Sequence, residues 1–513
     1  MRLIALAGLA FAAFISARPA PAADCGGLAQ MKIEAVNLLS AVEVPAGGGL
    51  PAYCRVLGYV RPAINFEVRL PLTDWNGKFY MAGCGGFCGR LDTERRGVFN
   101  SITYAGRRNY AVATMDSGHW GASTVDGRWA LGNPVAKADW AWRAVTETAR
   151  VGKTLVAAYY ARAPQHAYFN GCSTGGRMAA MEATRFPGDF DGIIMGAPAL
   201  DTTGLVATFF AWMTEVNTGP GGTQILGSAR LPLIRNAVRA ACGGQQDLVA
   251  DPRTCDFKPE TLQCKAETGP DCLSAAEVGV LQKWYDGPHD ALGVRLYPGG
   301  VPVGSEANWA LWLTGLRGGP PVMPLFARDF LRYMAFEPDA GPTYNVTDFD
   351  FERDPPRLAP MAALFNAATW VPGNPGHVAG PDLGKFAARG GKMIIVHGWG
   401  DPLVTPYLTI EWYETMATAA GGMDQLRQSA RLFMVPGMDH CGINRSKSGI
   451  SDTGIDPLTA LEQWVEHGAV PDSLLARSGD TVWQRPICAY PQTAKLAEGS
   501  DPTLAASWSC AVP

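Results

Sequence analysis

His166-Ala167-Tyr168-Phe169-Asn170-Gly171-Cys172-Ser173-Thr174-Gly175-Gly176-Arg177 is the stretch on which the reading of this chain turns. Ala167, Tyr168 and Phe169 make a short apolar run that reads as the end of a buried strand. Gly171 to Gly175 follows as G-x-S-x-G, and Arg177-Met178-Ala179-Ala180-Met181-Glu182-Ala183 after it holds strong helix formers. Strand, tight turn and helix with a serine at the apex is a nucleophile elbow, which predicts an α/β-hydrolase core. The turn is strained, and flanking residues without a Cβ let the helix follow the strand without a clash. It lifts the Ser173 hydroxyl above the sheet edge and turns the Thr174 N–H toward a developing oxyanion. The rival is a chance pattern in a chain with 60 glycines. The strand before it and the helix after it weigh toward catalysis.

Residues 1–23 read as a leader. Arg2 precedes an apolar run from Leu3 to Ile15, and small residues end it at Ala20-Pro21-Ala22-Ala23, the pattern of a secretory signal peptide. Thirteen apolar residues are too few to span a bilayer comfortably. The sequence thus predicts an exported protein, secreted or periplasmic, without a membrane partner. The roughly 490 residues that follow exceed one simple core, so a large domain with an insertion is expected. A net charge of −4 supplies no basic field for nucleic acid.

Twelve cysteines in an exported chain point to disulfides rather than metal. No C-x-x-C occurs and histidines number seven, which disfavours a zinc cluster. Proximity in sequence pairs Cys25 with Cys54, Cys242 with Cys255, Cys264 with Cys272, and Cys488 with Cys510, with a small loop if Cys84 joins Cys88. Cys172 and Cys441 are left, far apart in sequence.

In this fold the acid and then the histidine follow the serine, on loops after later strands. Lys392-Met393-Ile394-Ile395-Val396-His397-Gly398-Trp399-Gly400-Asp401 reads as a strand leading to a turn with Asp401. Arg431-Leu432-Phe433-Met434-Val435-Pro436-Gly437-Met438-Asp439-His440 is a second strand whose loop carries His440. His467 falls in the last turn of an amphipathic helix before Gly468, and His397 at a strand end reads as a packed structural residue. Asp439 adjoins His440 and is badly placed to orient its neighbour's ring, so Asp401 is the expected acid. If Ser173 and His440 meet, Cys172 and Cys441 stand beside one another, and a disulfide there needs a Cα separation of about 4.4–6.8 Å.

At this point the chain resembles the tannase and feruloyl esterase family of secreted serine esterases, which includes a branch acting on terephthalate esters. The resemblance rests on Gly171 to Arg177, Phe186-Pro187-Gly188-Asp189-Phe190-Asp191-Gly192, Gly196-Ala197-Pro198-Ala199, His397 to Pro402, Pro436 to Gly442, and Arg485-Pro486-Ile487-Cys488-Ala489-Tyr490-Pro491. It implies catalytic Ser173, Asp401 and His440, the disulfide Cys172–Cys441, and a lid inserted between nucleophile and acid. The expected division is a core over 24–203, a lid over 204–371 and the rest of the core over 372–513. Phe209, Phe210, Trp212, Trp309, Trp312, Phe326 and Phe336 are candidate lid aromatics, of which about two should touch substrate. Arg317, Arg328 or Arg332 are candidates for a substrate carboxylate, though surface arginine is the commoner role.

Gly83-Cys84-Gly85-Gly86-Phe87-Cys88-Gly89 follows an early strand, where such hydrolases place the second oxyanion N–H. Gly85 and Gly86 are both candidates for it; an ordinary tight turn is the alternative. The resemblance also implies a structural calcium ion in the loop from Cys242 to Cys255. Asp247 and Asp251 are its candidate ligands here, but the loop is shortened and poor in Asp. No cofactor is required by the chemistry. The expected activity is hydrolysis of an aromatic-acid ester (feruloyl, galloyl or terephthaloyl in type) through an acyl-serine. Its partner is a small aromatic ester. A terephthalate half-ester hydrolase, another serine hydrolase such as a peptidase or lipase, and a non-catalytic binding protein on the same scaffold are the alternatives.

Overall fold

The computed structural model describes residues 24–243, 248–265, 269–367, 382–443, 450–479 and 482–512. The leader over 1–23, Asp247 and the expected boundary at 371/372 lie outside the described residues.

A nine-stranded sheet runs through the molecule in the order β1-β2-β3-β5-β4-β6-β7-β8-β9. Its first strands, β1 (Val36–Val44), β2 (Tyr53–Val60) and β3 (Ile64–Pro71), form an antiparallel meander, and β3 pairs antiparallel with β5 (Ala111–Met115). From there β4 (Lys78–Ala82), β6 (His166–Ser173), β7 (Gly192–Pro198), β8 (Lys392–Gly398) and β9 (Ala430–Val435) continue in parallel. This mixed sheet, covered by helices, is an α/β-hydrolase core. β4, β5 and β6 stand where the sequence places strands, and β3 is shifted by one residue. β1 and β2 went unrecognised, β1 because it is an edge strand whose half-exposed residues carry no clear apolar alternation.

The parallel strands are buried on both faces, so they read as continuous apolar runs. Successive side chains still point to opposite sides. Ile193 and Met195 enter one apolar cluster with Met393, Ile395 and Leu432; Ile194 enters the other with Ile394, Val396 and Phe433. Helices α1 (Ala144–Tyr160) and α2 (Thr174–Arg185) cover one face.

Among the described residues, the chain between β7 and β8 contributes no strand to the sheet and is built from helices and turns. These include α3 (Leu231–Cys242), α4 (Ala275–Asp286) and α5 (Val322–Tyr333). A capping box, Ser274 to the Glu277 N–H and Glu277 back to the Ser274 N–H, starts α4. After β8 come α6 (Pro406–Ala419) and, after β9, α7 (Pro457–His467), which Gly468 ends in the left-handed conformation. Two short hairpins close the chain, β10 (Ser473–Arg477) with β11 (Gln484–Cys488) and β12 (Thr493–Leu496) with β13 (Trp508–Ala511).

All twelve cysteines are paired, and the partners are those read from the sequence: 25–54, 84–88, 172–441, 242–255, 264–272 and 488–510.

Candidate active site

Because β6, β7, β8 and β9 are parallel neighbours, the loops leaving their carboxyl ends gather at one edge. Ser173 ends β6, Asp401 follows β8 and His440 follows β9. Three residues separated by as many as 267 positions are thereby brought to one place, 440 minus 173.

Ser173 adopts φ 65° and ψ −122°, a conformation side-chain-bearing residues rarely take. The surroundings hold it there. A Cβ on Gly171 would lie 2.1 Å from the Gly175 carbonyl oxygen, so the turn tolerates glycine alone at that point. Asn100 clamps the residue before the serine: its Oδ1 accepts from the Cys172 N–H at 2.9 Å and its Nδ2 donates to the Cys172 carbonyl at 3.0 Å. Arg177, wholly buried in the first turns of α2, donates to the carbonyls of Trp140 and Ala141 and lies 4.1 Å over the Trp140 ring. The first turn of α2 leaves backbone N–H groups without helical partners just behind the serine, and the helix dipole adds positive potential there.

The His440 ring has Nδ1 2.7 Å from Asp401 Oδ2, and Nε2 3.5 Å from Cys441 Sγ. Ser173 and His440 line the same cavity of about 450 Å³, but the serine hydroxyl is not hydrogen-bonded to the ring. Such contacts commonly tighten only when substrate is bound. The disulfide Cys172–Cys441, with Cα atoms 6.0 Å apart, joins the residue before the serine to the residue after the histidine.

Asp401 is fully buried, yet its carboxyl is held down to about 2. Burial works against ionisation; the charge of His440 and hydrogen bonds from His397 and His440 outweigh it. Its Oδ1 also accepts from the N–H groups of Leu403 and Val404, at 2.9 Å each. His397 is the packed residue expected, with Nδ1 2.9 Å from Thr409 Oγ1 and Nε2 2.8 Å from the Val404 carbonyl. Asp439 bonds not to the imidazole but elsewhere, its Oδ1 accepting from the His440 backbone N–H at 2.6 Å and from Trp312 Nε1 at 3.1 Å. Burial, and then the charge of Asp401, push the Asp439 carboxyl up to about 7.

The glycine loop after β4 lines the same cavity as His440. Gly83, Phe87, Cys88 and Gly89 use their N–H groups on Asn170, Thr124, Gly85 and Asp116 carbonyls. The Gly85 carbonyl turns back to Cys88, and in a trans peptide the N–H opposes the carbonyl, so the Gly86 N–H points out of the loop. Thr174 and Gly86 are tied directly, the threonine hydroxyl donating to the Gly86 carbonyl at 2.7 Å. Gly85 and Gly86 both line the cavity with Ser173.

The insertion adds an apolar lining of Leu311, Trp312, Val322 and Phe326. Two of the seven aromatic candidates, Trp312 and Phe326, therefore reach the cavity, and Trp312 sets its ring perpendicular to that of His440 at 5.7 Å. Phe209, Phe210, Trp309 and Phe336 are buried in the apolar core, and Trp212 packs against it. The arginine candidates do not line the cavity. Arg328 is engaged by Asp329 at 2.8 Å, Arg332 by the Tyr344 carbonyl at 2.6 Å, and Arg317 sits on an exposed turn. Arg90 and Arg95, on the loop that follows the glycines, line it instead. Neither they nor Asn100 had any motif to mark them.

The described part of the Cys242–Cys255 loop does not fit a calcium ion. Asp251 receives Arg253 Nε at 3.0 Å and Nη2 at 2.6 Å, and Asp247 is outside the described residues. Among the described residues no group of three or more His, Cys, Asp or Glu is placed to hold a metal.

Comparison with known proteins finds relatives over nearly the whole chain. A profile described as tannase and feruloyl esterase matches residues 51–511. An uncharacterized esterase of Xanthomonas campestris pv. campestris is 34% identical over 93% of this chain and 89% of its own. The mono(2-hydroxyethyl) terephthalate hydrolase of Piscinibacter sakaiensis is 30% identical over 92% of this chain and 87% of its own. Feruloyl esterase B from Aspergillus oryzae superposes with a TM-score of 0.80 at 24% identity, covering 94% of this chain and 98% of that one. Tannin acyl hydrolase from Aspergillus niger gives 0.75 at 21% identity, over 94% and 92%.

Proposed function

Because the chain belongs to the tannase and feruloyl esterase family and is a carboxylic ester hydrolase, we propose that it cleaves esters of aromatic acids through an acyl-serine at Ser173. The observation that carries this reading is the convergence of Ser173, His440 and Asp401 at the ends of β6, β9 and β8, fastened by Cys172–Cys441.

In the first half of the reaction, Ser173 Oγ attacks the ester carbonyl while His440 Nε2 accepts its proton. The carbonyl oxygen becomes an oxyanion bound by the Thr174 and Gly86 N–H groups, each worth about 10²–10³ in rate. His440 then gives the proton to the leaving alcohol. Asp401 holds the ring so that Nε2 faces the serine and stabilises the imidazolium. In the second half, water attacks the acyl-enzyme with His440 as base, and the free acid departs. The aromatic acyl group lies against Trp312 and Phe326.

Export into an oxidising compartment is part of the proposal, supported by six disulfides and by the leader pattern over 1–23. A second reading, a terephthalate half-ester as main substrate, is favoured by Arg90 and Arg95 on the cavity wall, since such a substrate carries a carboxylate. One experiment addresses both. Methyl ferulate, methyl gallate, mono(2-hydroxyethyl) terephthalate and p-nitrophenyl acetate are assayed with wild type and Ser173→Ala. Wild-type turnover of an aromatic ester, lost with Ser173→Ala, is the expected result. Undiminished activity in that variant overturns the serine mechanism. Preference for the terephthalate half-ester, reduced by Arg90→Gln or Arg95→Gln, selects the second reading.

A further inference from the structure

The disulfide Cys84–Cys88 closes a ring across a sequence separation of only four, in the wall of the cavity that holds Ser173. Its two cysteines are almost inaccessible, 8% and 2% exposed. The segment between them contains two successive glycines, the residues with the greatest backbone freedom. Yet this is the segment whose Gly86 N–H has to stand still.

The rest of the ring is braced from outside. Phe87 donates its N–H to the Thr124 carbonyl at 2.7 Å, and its own carbonyl lies 2.7 Å from His119 Nε2. Its ring is lodged against Trp140, Phe326 and Phe330. Gly86 takes φ +61°, and a Cβ there would lie 2.4 Å from the Thr124 carbonyl oxygen. So short a ring removes less entropy from the unfolded chain than a longer one would, which puts its effect on global stability at the low end for a disulfide. What it does constrain is the path from β4 through Gly85 and Gly86, and hence the direction of one N–H group.

We propose that the Cys84–Cys88 disulfide is a positioning element of this esterase, holding the Gly86 N–H where the oxyanion develops, so that it acts on turnover rather than on substrate affinity. The inference rests on the serine-esterase reading above. An oxyanion donor works only when fixed in advance of the charge it meets. A loose pair of glycines would have to be ordered at each turnover, and small misplacements at the reacting centre cost large factors in rate.

The test compares wild type with Cys84→Ser/Cys88→Ser on an aromatic ester, and with Cys264→Ser/Cys272→Ser as a control disulfide in the insertion. The first variant is expected to lose about 10–100-fold in kcat with KM held within about twofold. Its affinity for an arylboronic acid, which forms a tetrahedral adduct on Ser173, falls by the same factor as kcat/KM; affinity for the free aromatic acid is kept. The control keeps wild-type kcat. Circular dichroism and thermal melting verify that each variant is folded. If the serine pair does not fold, Cys84→Ala/Cys88→Ala, which removes the buried hydroxyls and avoids a β-branched side chain at the left-handed Cys88, is measured the same way. Wild-type kcat in a folded variant overturns the proposal, as does parallel loss of boronate and free-acid affinity. Failure of the underlying reading is read separately, as activity surviving in Ser173→Ala.

Discussion

His440 Nδ1 lies 2.7 Å from Asp401 Oδ2, whereas the adjacent Asp439 gives its carboxylate to the His440 backbone N–H. The two acids nearest the histidine thus have different work. Asp401→Asn puts the wrong donor pattern against Nδ1 and should lower kcat about 10³–10⁴-fold. Asp439→Asn keeps an oxygen for the same two donors and should stay within about tenfold of wild type. Steady-state kinetics on one ester compare them directly.

The same pair has opposite pH signatures. Asp401, depressed to about 2, contributes stability that is present above its unfolded value near 4 and is lost as pH falls through 2. Asp439, raised to about 7, binds a proton in the folded protein that the unfolded chain has released, so its contribution weakens as pH rises from 4 to 7. Asp439→Asn should therefore gain in melting temperature relative to wild type across that interval. A constant difference between the two melting curves from pH 4 to 8 would refute the assignment.

Trp312 belongs to the insertion but is held by Asp439 at 3.1 Å and faces the His440 ring edge to face. Trp312→Ala should raise KM for aromatic esters about 5–20-fold, by removing a ring contact worth about 1 kcal/mol or more. Trp312→Phe, which keeps a ring without the N–H, should recover most of that. Aliphatic p-nitrophenyl esters provide the control, and an equal rise in their KM would count against an aromatic subsite.

Cys172 and Cys441 are separated by 269 residues and by 6.0 Å between Cα atoms. Replacing both with serine should cost about 2–4 kcal/mol of stability and also lower kcat, because the loops carrying Ser173 and His440 are released at once. Urea unfolding and single-turnover kinetics measure the two effects. Loss of stability with wild-type kcat in the folded variant would limit the bond to a structural role.

The guanidinium of Arg253 occupies Asp251 and lies over Trp399 at 5.2 Å, two residues before Asp401. We propose that this ion pair supports the Cys242–Cys255 loop without a divalent ion. Excess EDTA should leave the melting temperature unchanged, while Arg253→Ala should lower it; a melting temperature that drops with EDTA and returns with calcium would reverse the conclusion.

The local signals in this chain are strong wherever the chemistry follows the backbone directly. A strained turn needs glycines beside the serine, so Gly171 to Gly175 disclosed the fold and the residue held at its apex. Buried parallel strands need unbroken apolar runs, so the strands before Asp401 and His440 could be found, and the order of those residues followed from topology. Disulfide partners were legible because most lie close in sequence and the last pair flanks residues that must meet.

What sequence by itself determined, then, is the core fold and the family, and it pointed to the serine, acid and histidine now proposed as catalytic and to the cysteines that pair. Only the tertiary structure decided which side chains of the insertion face the cavity, that Arg90 and Arg95 rather than Arg317, Arg328 or Arg332 line it, and that Asn100 clamps the elbow. The physical reason is that a turn or a strand is dictated by neighbours along the chain. A cavity wall is assembled from segments far apart in sequence, and the direction of each side chain there is set by what packs behind it.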